Sequence, residues 1–333
     1  MPPVDPTPLS ADATSADAAT PPLVLTGERT LPGIPDERYW FERHVVAYAL
    51  AADHVRARRL HTDHATDATD ATDATHATDE GSDDRPGPTV LDAGCGEGYG
   101  LAMLAAAGAG RVIGADLDAA TVAHATHTYA DADPRIEVVA AELMSLPLAD
   151  DEVELTVSFQ VIEHLHDIPG YLRSLRRVTR PGGEVLIATP NRLTFTPGSD
   201  TPVNPFHTRE FTAAELEQEL AAAGLTVTRI VGVRHGPRLT AAERHLGAPL
   251  PEVLGAIPAE DWSPELRAVV HATHAEDFEV ADTDLDTSLD LVAICRVDEG
   301  GTRPEAATTA AQPSAASQAT PATPPATAPG RRP

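Results

Sequence analysis

Read for the spacing of its apolar positions, the chain divides into a patterned middle and three stretches without pattern. Over residues 39–55 ("YWFERHVVAYALAADHV") large apolar side chains recur at helical intervals, which predicts an amphipathic helix. From residue 89 onward, short and wholly apolar runs alternate with helical segments. The runs predict strands over 89–93, 112–116, 136–140, 153–159 and 184–189, with helices over 99–107, 119–130 and 171–178 between them. Strands that are apolar on both faces and alternate with helices predict an α/β fold, a parallel sheet with helices on both faces. Residues 211–223 predict a further helix, stopped by Gly224, and 225–233 and 288–297 predict two more strands. A doubly wound sheet binds its ligand at the carboxyl ends of the strands.

The unpatterned stretches set the domain limits. Residues 1–24 and 300–333 are Pro, Ala, Thr, Asp and Ser with hardly any large apolar side chain, too little to offset the entropy of ordering, so both are expected to be disordered tails. Residues 61–87 ("HTDHATDATDATDATHATDEGSDDRPG") form a low-complexity acidic insert. A solvated linker is the plain reading of it, and transient metal binding by His61, His64 and His76 the alternative. One domain over residues 25–299 remains. The formal charge of −27 and the lack of any lysine repel phosphate backbones, so nucleic acid is not an expected partner. Two cysteines are too few for a secreted disulfide scaffold, and neither a signal peptide nor a membrane-spanning run is visible. The expectation is a cytoplasmic protein without membrane insertion. Its oligomeric state is left open.

The first strand runs into "VLDAGCGEGYG" (residues 90–100). Gly94, Gly96 and Gly98 let the backbone turn tightly and approach a ligand, and the helix that follows presents free N–H groups there. A dinucleotide fingerprint needs its third glycine at the Tyr99 position; the spacing here is G-x-G-x-G, preceded by Asp92. A carboxylate at that point disfavours a pyrophosphate and suits an amino group. Ala93, Cys95 and Tyr99 complete the turn. Asp116, at the end of the second strand, stands where an acid accepts from ribose hydroxyls, with Leu117 after it. Glu142 and Leu143, after the third strand, suit an adenine amino group and ring. The fourth strand ends in "FQVIEHLHD" (159–167), which puts Gln160, Val161, Glu163, His164 and His166 at the same edge.

Asp92–Gly98, Asp116 and "LPLADDEVEL" resemble motifs of the class I S-adenosylmethionine-dependent methyltransferases, and "LRRVTRPGGEVLIATPN" resembles that family's helix, Pro-Gly-Gly turn and fifth strand. The resemblance implies a Rossmann-like class I methyltransferase fold: a seven-stranded, mostly parallel sheet with an antiparallel last strand, for which "DTSLDLVAICRV" is the candidate. It also implies S-adenosyl-L-methionine as cofactor. "LTGERTLPGIPDERYWFERH", "FQVIEHL", "TPGSDTPVNPFHTRE", "HGPRL" and "SLDLVAI" are further similar to a mycobacterial methyltransferase family assigned to 6-O-methylation of glucose in methylglucose lipopolysaccharides. That points to a carbohydrate hydroxyl as methyl acceptor. Quinones, polyketides and other small metabolites are the alternative acceptors. An NAD(P)-dependent oxidoreductase and a cofactor-binding protein without transfer are the alternatives of other classes.

In the family the fourth strand's end faces the sulfonium, so Gln160–His164 line the reaction centre. A sugar hydroxyl needs a proton acceptor, and a neutral imidazole with an ordinary pKa of about 6.5 serves at physiological pH. His164 and His207 are the candidates, with Glu163 beside them. "NPFHTRE" (204–210) offers Asn204 and Arg209 for an acceptor, and His235 stands near its expected opening. The same segment reads equally as a helix entry, with Thr212 and Glu215 as a capping box. His166 and Asp167 read as a turn and cap before Pro169. Tyr39, Trp40 and Phe41 read as core or lid, with Arg43 and His44 as their polar neighbours. A metal held by Glu163, His164 and His166 is the alternative, since quinone O-methyltransferases with a similar Glu-His pair can use a divalent cation; no further ligand stands at metal-binding spacing, so no metal is expected.

Overall fold

The computed structural model describes residues 30–67 and 87–299. The expected tails, most of the acidic insert and His76 lie outside the described residues. The amphipathic run near the start is a helix, α1 (Arg38–Asp67), which continues some way into the stretch expected to be linker. The alternating core follows: β1 (Thr89–Ala93), α2 (Tyr99–Ala106), β2 (Arg111–Asp116), α3 (Ala119–Ala125), β3 (Ile136–Ala140), β4 (Val153–Phe159), α4 (Ile168–Val178) and β5 (Thr179–Pro190). A short α5 (Arg192–Phe195), then α6 (Ala213–Ala222) and β6 (Thr226–His235), lead to three helices, α7 (Pro237–Leu246), α8 (Leu250–Ala256) and α9 (Pro264–His271). β7 (Phe278–Ala281) and β8 (Asp290–Arg296) close the fold.

The strands form one sheet in the order β3-β2-β1-β4-β5-β8-β6-β7. β1 to β5 pair in parallel, and β8 runs antiparallel between β5 and β6. The fold is thus the expected Rossmann-like one, with a correction: eight strands rather than seven, because β7 adds an antiparallel edge to β6. β7 escapes a sequence reading because "FEVA" is four residues long, shorter than a clear alternation requires. β5 is also longer than expected. Its register against β4 jumps from Val153↔Thr179 to Leu155↔Glu184, so the Pro-Gly-Gly turn loops out of the ladder, with Gly182 at φ +74°. The helix expected over 119–130 is α-helical to Ala125 and then widens into a π-helical turn, Thr126–Ala130.

Successive strand residues face opposite sides, and each side has its own core. On one side Val90, Val112, Leu155, Val157 and Leu186 pack under α1, α2 and the α7–α9 segment. On the other Leu91, Ile113, Val185 and Ile187 pack against α4 and α6. Val90 and Leu91 are both fully buried, each side chain contributing about 1.5–3 kcal/mol of transfer free energy. Among the described residues no helix is long and apolar enough to cross a membrane.

Candidate active site

The turn after β1 takes its shape from three glycines at positive φ: Gly94 (+85°), Gly96 (+53°) and Gly98 (+102°). A Cβ at Gly94 would come within 2.5 Å of Val161 Cγ2, whereas one at Gly96 would meet only open space. Gly94 is therefore required by close approach to the β4 end. Gly96 keeps its side of the turn clear for a ligand. Gly96 N–H donates to Asp116 Oδ2 (3.1 Å) and Asp118 N–H to Oδ1 (2.9 Å), which fixes the carboxylate beside the turn with lone pairs to spare.

A cavity of about 530 Å³ opens over this turn. Gly94, Cys95, Gly96, Tyr99, Asp116, Leu117, Glu142, Leu143, Gln160 and Val161 line it, as the sequence suggests. Leu117, Met144 and Phe206 are large apolar side chains exposed at 64%, 37% and 56%, and all three face this one cavity. An exposed apolar cluster beside a fixed carboxylate suits the flat face and ribose of a nucleoside. Ala93, Gly98 and Asp92 do not line the cavity. Ala93 is buried in the sheet, and Gly98 packs against Ala125 and Tyr129. Asp92 lies fully buried beneath the turn, where Tyr48 O–H donates to its Oδ2 (3.0 Å) and Oδ1 has no partner among the described residues. Burial, reinforced by the Asp116 charge, pushes the Asp92 carboxyl up to about 7. Tyr48, not Asp92, reaches the cavity wall.

At the end of β4, Gln160 adopts φ +55°, an uncommon conformation for a residue with a side chain. It turns the chain so that Glu163, His164 and Leu165 run along the strand ends. The loop after β5 then docks on this segment: Thr208 N–H donates to the Glu163 carbonyl (2.7 Å) and Thr208 Oγ to the Leu165 carbonyl (2.8 Å). That docking sets the His164 and His207 rings at right angles, 5.0 Å apart, with Phe195 stacked on His207. Both rings are oriented through Nδ1. His164 Nδ1 donates to the Phe206 carbonyl (3.1 Å), and His207 Nδ1 pairs with the buried Glu210 carboxylate (2.8 Å). These contacts fix the orientation of both rings. Glu163 is 1% exposed and accepts from Thr189 Oγ (3.0 Å); burial, with the charges of Asp290 and Glu210, pushes it up to about 8.

A second cavity, about 630 Å³, lies beyond these groups and is lined by Glu163, His164, Asn204 and His207 together with Trp40, Arg43, Phe195 and Trp262. Thr30, His44, Gln160 and His164 line both cavities. His44 is held by Thr30 Oγ (3.1 Å), and burial together with the neighbouring Arg43 guanidinium pushes its imidazole down to about 4, neutral at physiological pH. Arg43 is itself buried in a bidentate pair with Asp290, at 2.5 Å through both Nε and Nη2, and Gln160 Nε2 donates to Asp290 Oδ1 (3.3 Å).

Two residues expected near the acceptor line neither cavity. Arg209 lies over the Phe211 ring and pairs with Glu219, drawn there by the aromatic face and the acid of α6. His235 ends β6 in the core, between Tyr39 O–H (2.7 Å) and Glu243 (2.9 Å). The segment after it is α7, in which Arg238 pairs with Asp277. Tyr39 is core, whereas Trp40 faces the second cavity. Asp167 caps α4 and Thr212–Glu215 forms a capping box on α6, as read from sequence. Thr30, Tyr48, Met144, Phe206 and Trp262 were not foreseen as lining residues. Met144 and Phe206 are exposed large apolar groups, a signal that could have flagged them, whereas Tyr48 is buried within α1 and carries none.

Residues 91–187 match the model of a methyltransferase domain. A probable S-adenosylmethionine-dependent methyltransferase of Mycolicibacterium smegmatis is 43% identical over 277 residues, 82% of this chain and 94% of that one. The chain belongs to the S-adenosylmethionine-dependent methyltransferases. A probable member from Mycobacterium tuberculosis is 42% identical over 287 residues, covering 84% of this chain and 92% of the relative. A ubiquinone biosynthesis O-methyltransferase of Rhizobium etli is 31% identical over 163 residues, 45% of this chain and 65% of that protein. Among solved structures, an S-adenosylmethionine-dependent methyltransferase of Mesorhizobium loti aligns with a TM-score of 0.41 at 19% identity, over 63% of this chain and 91% of that one. This methyltransferase takes S-adenosylmethionine as cofactor. The cleared face of Gly96, the fixed Asp116 carboxylate and the apolar exposure of Leu117 and Met144 fit that molecule.

Proposed function

We propose that this methyltransferase methylates a hydroxyl oxygen of a glucose-containing oligo- or polysaccharide. The observation that carries the reading is the shared wall: His44, Gln160 and His164 face both the cofactor cavity and the second cavity, so an acceptor in the second meets the donor across them. Indole faces of Trp40 and Trp262 suit the apolar faces of sugar rings, and Asn204, Glu163 and the histidines suit their hydroxyls. A cavity of this size takes one or two hexose units of a longer chain.

Bound S-adenosylmethionine supplies an electrophilic methyl carbon on a sulfonium, and transfer to oxygen leaves a neutral thioether. The protein's own part is alignment and proton removal. Asp116 and the glycine turn hold the nucleoside; Gln160, fixed by Asp290, and His44, fixed by Thr30, border the line of attack. The acceptor O–H forms its new C–O bond as its proton leaves to the Glu163–His164–His207 cluster, where both imidazoles are held through Nδ1. The test is His164→Ala and His207→Ala, with binding of S-adenosylhomocysteine measured apart from methyl transfer to glucan oligosaccharides bearing methylglucose units. Both variants should bind the nucleoside normally and lose transfer at least 100-fold. Transfer by the wild type to quinols or phenols, with none to any sugar, would replace the acceptor. Near-normal turnover in both variants would remove the histidines from the reaction.

A further inference from the structure

Glu163 and His164 offer two ligand atoms from the β4 end, and the sequence places no third within metal-like spacing. The fold supplies it. The loop docked through Thr208 brings His207 to the same point, and a ligand atom from each of Glu163, His164 and His207 lies within 4.8 Å of the others. We infer that these three side chains form a divalent-cation site on the acceptor side of the methyl-transfer centre. The inference rests on the proposed O-methyltransferase reading and assigns the cluster a further role within it.

The second observation is the outer shell. Metal-binding histidines almost always have their other ring nitrogen held by a carbonyl or carboxylate, which fixes ring orientation and raises ligand basicity. His164 has the Phe206 carbonyl in that place and His207 has Glu210. Glu210 is 3% exposed, and its Oε2 has no hydrogen-bond partner among the described residues, so a buried carboxyl stands directly behind His207. Glu163 is likewise held from behind, by Thr189, in a site where a carboxylate anion is otherwise costly. All three residues line the acceptor cavity, and His164 also borders the cofactor cavity.

Two imidazoles and one carboxylate favour a borderline cation such as Zn²⁺ over Mg²⁺, which prefers oxygen ligands and keeps its waters; Mn²⁺ serves as a spectroscopic probe of the same site. Bonds of about 2.1 Å would set ligand atoms roughly 3.4 Å apart, so the cluster closes by about 1 Å on binding. Glu163 is buried, whereas His164 and His207 are partly exposed, so the movement falls to the two histidines. All three line the acceptor cavity, so an ion held by them would be open to it. Such an ion would supply a Lewis acid that lowers the pKa of an acceptor hydroxyl. With the ion bound, the histidines would serve as ligands in place of the proton acceptor assigned to them above, and the hydroxyl's proton would leave to solvent.

The chain carries 14 histidines, some in the acidic insert, so binding alone does not identify the site. The test uses the full chain stripped with chelator, then titrated with Mn²⁺ followed by electron paramagnetic resonance and with Zn²⁺ followed by calorimetry. Mg²⁺ serves as the comparison, and S-adenosylhomocysteine binding is measured in parallel. The expected result is one tight ion per chain in the wild type. It should be weakened at least 10-fold in both His207→Ala and His164→Gln, with binding of the nucleoside retained. Glu163→Gln serves as a third variant provided its thermal melt stays cooperative. Equal binding in wild type and variants, or none in any of them, overturns the metal site and leaves the methyltransferase reading standing. Loss of nucleoside binding in the wild type would instead strike at that reading.

Discussion

Removing Arg43 should unmask the cost of the charge it neutralises. Arg43 and Asp290 are 4% and 2% exposed and meet through two hydrogen bonds of 2.5 Å. The pair ties α1 to β8, since Arg43 Nη2 also donates to the Leu289 carbonyl (2.9 Å). In Arg43→Met the methionine fills most of the vacated volume, but Asp290 keeps a buried carboxylate with only Gln160 as donor. Breaking one side of a buried ion pair costs about 3–5 kcal/mol, because an uncompensated charge remains. For a domain of this size that corresponds to a fall in Tm of roughly 6–20 °C. The double variant Arg43→Met, Asp290→Leu removes both charges and should recover most of the loss, ending within about 2 kcal/mol of wild type. Urea midpoints of the two single variants and the double variant, by circular dichroism, give the coupling. A single variant within 1 kcal/mol of wild type would show that Asp290 finds another partner and that the pair does not anchor the helix. Gln160 leans on the same carboxylate, so Arg43→Met should also slow transfer while leaving nucleoside affinity nearly intact.

Asp116→Asn keeps the shape of the side chain and removes its charge; S-adenosylhomocysteine affinity by calorimetry should fall roughly 10- to 150-fold, since hydrogen bonds to a charged group are worth about 1.5–3 kcal/mol. Unchanged affinity would take Asp116 out of the binding site. Asp92 gives a pH signature. Its carboxyl sits near 7 in the fold against an ordinary 3.8, so the folded protein holds a proton that the unfolded chain releases. The associated stability is complete below about pH 4 and is lost as pH rises through 7, on the order of 4 kcal/mol in all. Asp92→Asn, which cannot ionise, should lack that loss, so its urea midpoint should gain on the wild type between pH 5 and 8; parallel profiles would place the Asp92 pKa at its ordinary value.

The parallel half of the fold was legible because its signals are local. β1, β3 and β4 begin and end where the apolar runs do, and the glycine turn and Asp116 stand where a strand-end ligand requires them. The half that shapes the second cavity was not. α8, α9 and Trp262 carry no motif, and their role comes from packing the α7–α9 segment back over α1, a contact between residues more than 200 positions apart. Arg209 and His235 looked available as polar residues near expected loops. Each had a closer partner in space, Phe211 with Glu219 for one and Tyr39 with Glu243 for the other, which no spacing in the chain reveals. Asp92 illustrates a third kind of case. Its place at the strand end was read correctly, but whether a strand-end side chain points at the ligand or beneath it depends on the local twist, and here Tyr48 stands above it.

The stretch from Leu254 to Trp262 borders only the second cavity and leaves the first untouched. On the proposed reading, a part of acceptor choice is written in a stretch that the cofactor cavity does not use, while His44, Gln160 and His164 stay common to both. Grafting a different connection between β6 and β7 should retarget the enzyme to another alcohol without disturbing its use of the methyl donor, a freedom that would let such a scaffold diversify by exchanging one cassette.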